Sequence, residues 1–130
     1  MVVIDTSVAL KWFLEEEGSD IALGLLAEEQ FAAPDLLIYE LTNGLVFKES
    51  FTLDDIADCL GKLMKFDIDF LVLTEKSMAR TAELAREFHL SAYDASFIAL
   101  AEYLKTDFVT ADRKMAQKVK ALPFVRSLAD

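Results

Sequence analysis

The sequence predicts an α/β fold around a small, mainly parallel β-sheet. Short apolar runs near residues 2–4, 31–33, 70–73, 108–110 and, at the edge, 124–126 read as strands. Between them lie longer stretches whose apolar residues recur every three or four positions, the period of a helix packed on one side. Strands alternating with helices favour parallel pairing, because parallel neighbours need a long crossover between them.

The elements follow in order. Val2-Val3-Ile4 is β-branched, apolar and ends at Asp5, as a buried strand would. Ser7 to Glu17 reads as a helix with Val8, Trp12 and Leu14 on its apolar side, stopped by Gly18. Asp20 to Glu29 is a second helix, rich in Ala and Leu. Phe31-Ala32-Ala33 is a strand ended by Pro34, and Asp35 is placed to cap a helix from Leu36 to Lys48. That helix is apolar almost all round, so it is expected to be buried or shared with a partner. Thr52 with Asp55 marks the start of another helix, striped by Ile56, Leu60, Leu63 and Met64. Cys59 lies in this stretch as an expected buried thiol. Phe70 to Leu73 is a strand. Thr74 caps a helix to Phe88, with Ser77 where an acid is more usual. Tyr93 to Leu104 is a helix, Phe108-Val109 a strand reaching Thr110, and Asp112 opens a long final helix that Pro123 ends.

Composition narrows the function. At 130 residues the chain is sized for a single domain spanning 1–130, and 54% apolar residues supply its core. No apolar run is long enough to cross a membrane, and the start lacks a basic leader, so a cytoplasmic setting is expected. One cysteine permits no internal disulfide. A net charge of −10 argues against a protein that coats nucleic acid by electrostatics alone. It suits carboxylates gathered around a cation, or a basic partner.

Four acids stand out. Asp5 and Asp112 lie at or just past the carboxyl ends of strands, the edge where open α/β sheets build their sites. Asp94 lies in the first turn of a helix, where the dipole favours a carboxylate. Glu40 sits one turn into a nearly all-apolar helix, and burying it unpaired would be costly. A cation would remove that cost. Carboxylates without histidine suit Mg²⁺ or Mn²⁺ held through oxygen and water, one or two ions, for activating water in phosphodiester hydrolysis. The hydroxyls of Thr6, Ser7 and Thr110 and the amide of Asn43, on the face of Glu40, are placed to orient carboxylates or waters.

Each residue has a plainer role open to it. Asp5, Asp94 and Asp112 suit helix starts, Glu40 a lysine partner or solvent, and Asn43 local hydrogen bonds. His89 reads as a satisfied loop or core residue. The conjunction points to a site. Competing signatures are missing from the sequence: no Walker loop, no dinucleotide fingerprint, no nucleophile elbow, and too few Cys and His for zinc. Asp54-Asp55 opens a helix and Lys114 falls within one, which disfavours a receiver domain.

The motifs resemble those of the PIN domain family. Val3-Ile4-Asp5-Thr6-Ser7 is similar to the family's opening, and Pro34 to Asn43 to its second motif, with Glu40 and Asn43 at the family's Glu and Asn. Leu90 to Ala95 resembles the third, with Asp94 at the metal-ligand Asp. Thr110-Ala111-Asp112-Arg113-Lys114 matches the fourth. Within the family the chain resembles the VapC-type toxins of VapBC toxin–antitoxin pairs. The resemblance implies a three-layer α/β/α sandwich, a Mg²⁺- or Mn²⁺-dependent endoribonuclease cutting structured RNA, a homodimer and a small cognate antitoxin. Its alternatives are an RNA-processing or DNA-acting nuclease of the same fold without an antitoxin, and a non-catalytic scaffold. The high acidity departs from many RNA-cutting relatives.

Arg113 and Lys114 beside Asp112, and Arg80 and Arg86 on the helix before Asp94, are candidate RNA contacts; a solvated helix surface is the plain alternative. Trp12, Phe13, Leu14, Phe47, Phe51, Leu60 and Leu63 exceed a narrow stripe, and a dimer surface or antitoxin groove is expected there beside core packing.

Overall fold

In a computed structural model, residues 1–128 are described. The elements run β1 (Val2–Ile4), α1 (Thr6–Leu10), α2 (Ser19–Glu28), β2 (Phe31–Pro34), α3 (Leu36–Val46), α4 (Leu53–Lys65), β3 (Ile68–Leu71), α5 (Glu75–Phe88), α6 (Ala92–Leu104), β4 (Asp107–Thr110), α7 (Arg113–Lys118) and β5 (Val125–Ser127). Among the described residues the five strands form one parallel sheet in the order β3-β2-β1-β4-β5. The α/β/α arrangement expected from the resemblance is therefore present. No helix among the described residues is long and apolar enough to cross a membrane.

The strand order explains the layers. From β1 the chain steps outwards to β2 and β3, then returns across the sheet to β4 and β5. Right-handed crossovers place the helices of the outward steps on one face and those of the return on the other. The packing agrees: α1 lies against α3 and α3 against α4, whereas α5 packs on α6, which covers β1, β2 and β4. Between the layers sit Val3, Ile4, Leu37, Leu41, Phe97, Ile98 and Phe108, all but removed from solvent. Residues Ala95 to Ala101 of α6 are buried without a break, so this helix is a central brace rather than an amphipathic cover. Gly44 lets α3 lie close on α1: a Cβ there would meet Leu10 at 3.0 Å.

Several boundaries differ from the sequence reading, each for a physical reason. The first helix is shorter than Ser7–Glu17; it ends at Leu10 and passes into turns, so that Trp12 can bury its ring and donate its indole N–H to the Ala22 carbonyl at 2.9 Å. Asp35 stands before α3 but makes no side-chain cap; its own backbone is helical and its N–H donates to Leu71 across the sheet edge. The third strand covers 68–71 rather than 70–73: Ile68-Asp69-Phe70 alternates as an edge strand does, and Val72 is 80% exposed. The final helix is not long. It stops at Lys118 so that Val119 can be fully buried, and the turn before Pro123 turns the chain into β5. Cys59 is half-buried on α4, not enclosed. Trp12 and Leu63 belong to the core, which removes them from the expected docking groove; Phe13 stacks on Phe66. Phe47 remains 76% exposed. The Thr52–Asp55 capping box forms as read, and Thr74 caps α5 through the Ser77 N–H.

Candidate metal centre

Asp5 follows β1 immediately, and Thr110 ends the neighbouring β4, where Ile4 pairs with Val109. Parallel pairing thus sets Asp5 beside Thr110, at the point where the chain's direction of travel across the sheet reverses. Crevices in open α/β sheets form at such points. Thr110 donates its hydroxyl to Asp5 Oδ2 at 2.5 Å, and Ser7 donates to Oδ1 at 2.5 Å. The Val8 N–H donates to Oδ1 at 3.3 Å, so Asp5 also caps α1. Only 6% of Asp5 is exposed.

The same hydroxyls tie the β4 end to this carboxylate. Ser7 Oγ accepts the Ala111 N–H at 2.9 Å, and Thr110 Oγ1 accepts the Asp112 N–H at 3.0 Å. Asp112 caps α7, its Oδ1 accepting the Met115 N–H at 3.0 Å. Ser91 caps α6 by accepting the Asp94 N–H at 3.0 Å, which anchors Asp94 in the first turn. Glu40 enters from α3, and Thr6 donates to its Oε1 at 2.7 Å.

One open pocket of about 510 Å³ gathers these groups. Asp5, Glu40, Asp94 and Asp112 line it together with Thr6, Ser7 and Asn43. Thr110 is fully buried beneath, acting through Asp5. Burial pushes Asp5 up to about 6 despite its hydrogen bonds, and the Asp112 charge adds to the rise. Burial raises Glu40 as well, with Asp94 adding to it, while the Thr6 hydrogen bond opposes. Asp94 is raised by burial and then by Asp112; the Ser91 hydrogen bond and Lys118 counter this. Lys118 donates to the His89 carbonyl at 3.0 Å, and His89 itself is exposed, closing α5 in a left-handed conformation with φ 56°.

The donors suit a hard divalent cation: they are all oxygen, they line one pocket, and burial disfavours the charged forms of Asp5, Glu40 and Asp94. Among the described residues no three of them stand close enough to grip an ion directly. An ion of the Mg²⁺ type keeps several of its waters, which can span the gap to a carboxylate. Asp5, Glu40, Asp94 and Asp112 would hold it.

The four bases singled out as RNA contacts separate. Arg80 is not at the pocket: it is bound to Glu102 at 2.8 Å and to Glu83 at 2.9 Å. Arg86 is exposed on α5 and does not line the pocket either. Arg113 pairs with Glu17 at 3.2 Å over a neighbouring 260 Å³ hollow, and Lys114 is exposed on α7. Conversely, Tyr39 and Tyr93 line the acidic pocket and were not singled out from sequence. The available signal was their position, each directly before an acid of the set.

Comparison with known proteins points one way. A family model described as PIN domain matches residues 2–121. Ribonuclease VapC3 of Pyrobaculum aerophilum is 30% identical over 133 residues, covering 93% of this chain and 96% of that protein. Ribonuclease VapC9 of Mycobacterium tuberculosis is 32% identical over 123 residues, covering 93% of each. Among solved structures, a toxin–antitoxin complex from Klebsiella pneumoniae superposes with a TM-score of 0.77 at 17% identity, over 98% of both chains. VapC20 of Mycobacterium tuberculosis, a sarcin–ricin loop cleaving toxin, gives 0.74 at 15% identity over 96% of this chain and 97% of that one.

Proposed function

The chain belongs to the PIN domain family, and we propose that it is a metal-dependent endoribonuclease, the toxin of a toxin–antitoxin pair. The observation that carries this reading is the shared pocket of Asp5, Glu40, Asp94 and Asp112 at the carboxyl ends of β1 and β4. The similarity to named VapC ribonucleases over nearly the whole chain supports it.

In this reading Asp5 is the fixed ligand. Hydrogen bonds to both of its oxygens hold its orientation before any ion arrives. Asp94 and Asp112 supply the second side of the site from two helix starts, and Glu40 the third from α3. Thr6 keeps Glu40 directed by its hydroxyl, and Asn43, one turn on, lines the same wall. One or two Mg²⁺ or Mn²⁺ ions bound there would activate water and offset the charge on the leaving oxygen.

The partner reading follows from charge. A basic antitoxin segment complements an acidic pocket, and a solved neighbour of this fold is itself a toxin–antitoxin complex. Exposed Val46, Phe47 and Leu53 between α3 and α4 supply an apolar surface for a second copy of this chain, a homodimer. The substrate expected is a structured RNA that presents an unpaired segment to the pocket.

The test is cleavage of total cellular RNA by purified protein with Mg²⁺, with Mn²⁺ and with EDTA, beside Asp5→Asn. Discrete, metal-dependent fragments absent from the variant are expected. No cleavage, joined to no metal binding on titration, would favour a non-catalytic scaffold, a reading consistent with carboxylates that stand apart.

A further inference from the structure

An acidic protein that cuts RNA must find its affinity somewhere other than bulk charge. The net charge is −10, the pocket wall carries four carboxylates, and among the described residues no lysine or arginine lines that pocket. Phosphate contacts are therefore few. What the pocket does offer is aromatic surface. Tyr39 is 72% exposed and Tyr93 64% exposed, and both line the pocket that holds the acids.

Their placement is not explained by packing. Tyr93 sits at the start of α6, two residues before a run of seven buried positions, yet stays out of the core. Tyr39 is flanked on α3 by half-buried Ile38 and Glu40 and also stays out. Each tyrosine is the residue immediately before a pocket acid, from a different helix. Successive helical side chains diverge by about 100°, so a ring at that position stands beside its carboxylate rather than over it. Two rings, one from each of two helices, thus share the pocket with the acids.

We infer that Tyr39 and Tyr93 are base-stacking residues that receive unpaired nucleobases of RNA on either side of the phosphate presented to Asp5, Glu40, Asp94 and Asp112. This rests on the ribonuclease reading and names how the substrate is held. Stacking suits the site because every base has a neutral π-face, which the surrounding carboxylates do not repel. A tyrosine ring brings a large contact area with only two side-chain torsions to order. It also selects the form of the substrate: paired bases stay stacked within their helix, whereas unpaired bases in loops and ends are free to lie on a ring.

The test uses the full chain with Mn²⁺ and a single-stranded 12-nucleotide RNA containing one 2-aminopurine, whose fluorescence is quenched on stacking. The wild type is expected to bind with quenching, read at once after mixing. Tyr39→Leu and Tyr93→Leu should each weaken binding about 5- to 150-fold, the range of one base–aromatic stack, and lose quenching. Tyr39→Phe and Tyr93→Phe should stay within about twofold, because the ring and not the hydroxyl carries the contact. Wild-type binding without quenching, or Leu variants that bind and quench as the wild type does, would overturn the inference and assign the rings to protein contacts. Cleavage of total RNA with Mn²⁺ is run alongside. If the wild type cleaves while the Leu variants behave as wild type, only the stacking role falls. If it neither binds nor cleaves, the ribonuclease reading falls and the stacking role with it.

Discussion

Thr6 and Glu40, separated by 34 positions, are joined by a 2.7 Å hydrogen bond from the Thr6 hydroxyl to Glu40 Oε1. The bond ties the first turn after β1 to the middle of α3 and directs a carboxylate that would otherwise recoil from Asp94. Thr6→Val should therefore raise the Glu40 pKa further, since its largest opposing influence is lost. Metal affinity and cleavage should drop about 10- to 100-fold, the usual range for a group that orients a ligand. Thr6→Ser should restore most of this. Isothermal titration with Mn²⁺ reads the effect, and an unchanged affinity in Thr6→Val would show that Glu40 is not a ligand.

Asp5→Asn should abolish cleavage while the fold persists. The amide keeps an acceptor oxygen for one of the Ser7 and Thr110 hydroxyls, and a buried charge is removed. Without metal the variant should melt at or above the wild-type temperature, and Mn²⁺ should no longer raise its Tm. Asp94→Asn should lose cleavage similarly. Full metal-dependent activity in either variant would remove that acid from the site.

Stability without metal should fall as pH rises from about 4 to above 6. Asp5 titrates near 6 in the folded chain and near 3.8 when unfolded. Within that window the folded state holds the proton and the unfolded state has lost it, so the folded state binds more protons and loses ground as pH climbs. The Asp5 contribution is about 3 kcal/mol at most, and the raised Glu40 and Asp94 act in the same direction. Urea melts in EDTA at pH 5 and pH 7.5 measure it; Asp5→Asn should flatten most of the slope. Stabilisation by added Mn²⁺ should grow over the same interval, because the ion binds the ionised form. A metal-free protein more stable at pH 7.5 would contradict the burial argument.

RNA binding should depend only weakly on salt. Arg80 and Arg113 already have carboxylate partners and Arg86 does not line the pocket, so the exposed lysines of α7, Lys114 and Lys118, are the phosphate contacts expected. Two such contacts on single-stranded RNA give a slope of log affinity against log salt near −1.4. A KCl titration between 50 and 300 mM, on the order of the usual working range, checks this. A slope several times steeper would mean that further bases reach the RNA, and Arg113→Ala would then identify one of them.

Local sequence signals carried well where a residue's role depends on its own segment. Asp5 at the end of an apolar strand, the Thr52–Asp55 capping box and Asp94 in the first turn of α6 are all decided within a few residues. The α/β alternation was legible for the same reason. The edge strand lies at 68–71 and not on the continuous apolar run 70–73, because a partly solvated strand alternates apolar and polar positions. The long final helix failed because burial of Val119, a demand of the assembled core, outweighed an unbroken helical composition.

By itself the sequence determined the element types and the places of the four acids in them, Asp5 and Asp112 by strand ends, Asp94 at a helix start and Glu40 within a helix, since these follow from short-range pattern. Only the tertiary structure decided that β1 lies beside β4, which brings Thr110 onto Asp5 across 105 positions. It also decided that Arg80 faces Glu102 and not the pocket, and that Tyr39 and Tyr93 share the pocket with the acids. Strand order and the facing of helices are settled by burial summed over the whole core, and no local segment contains that sum.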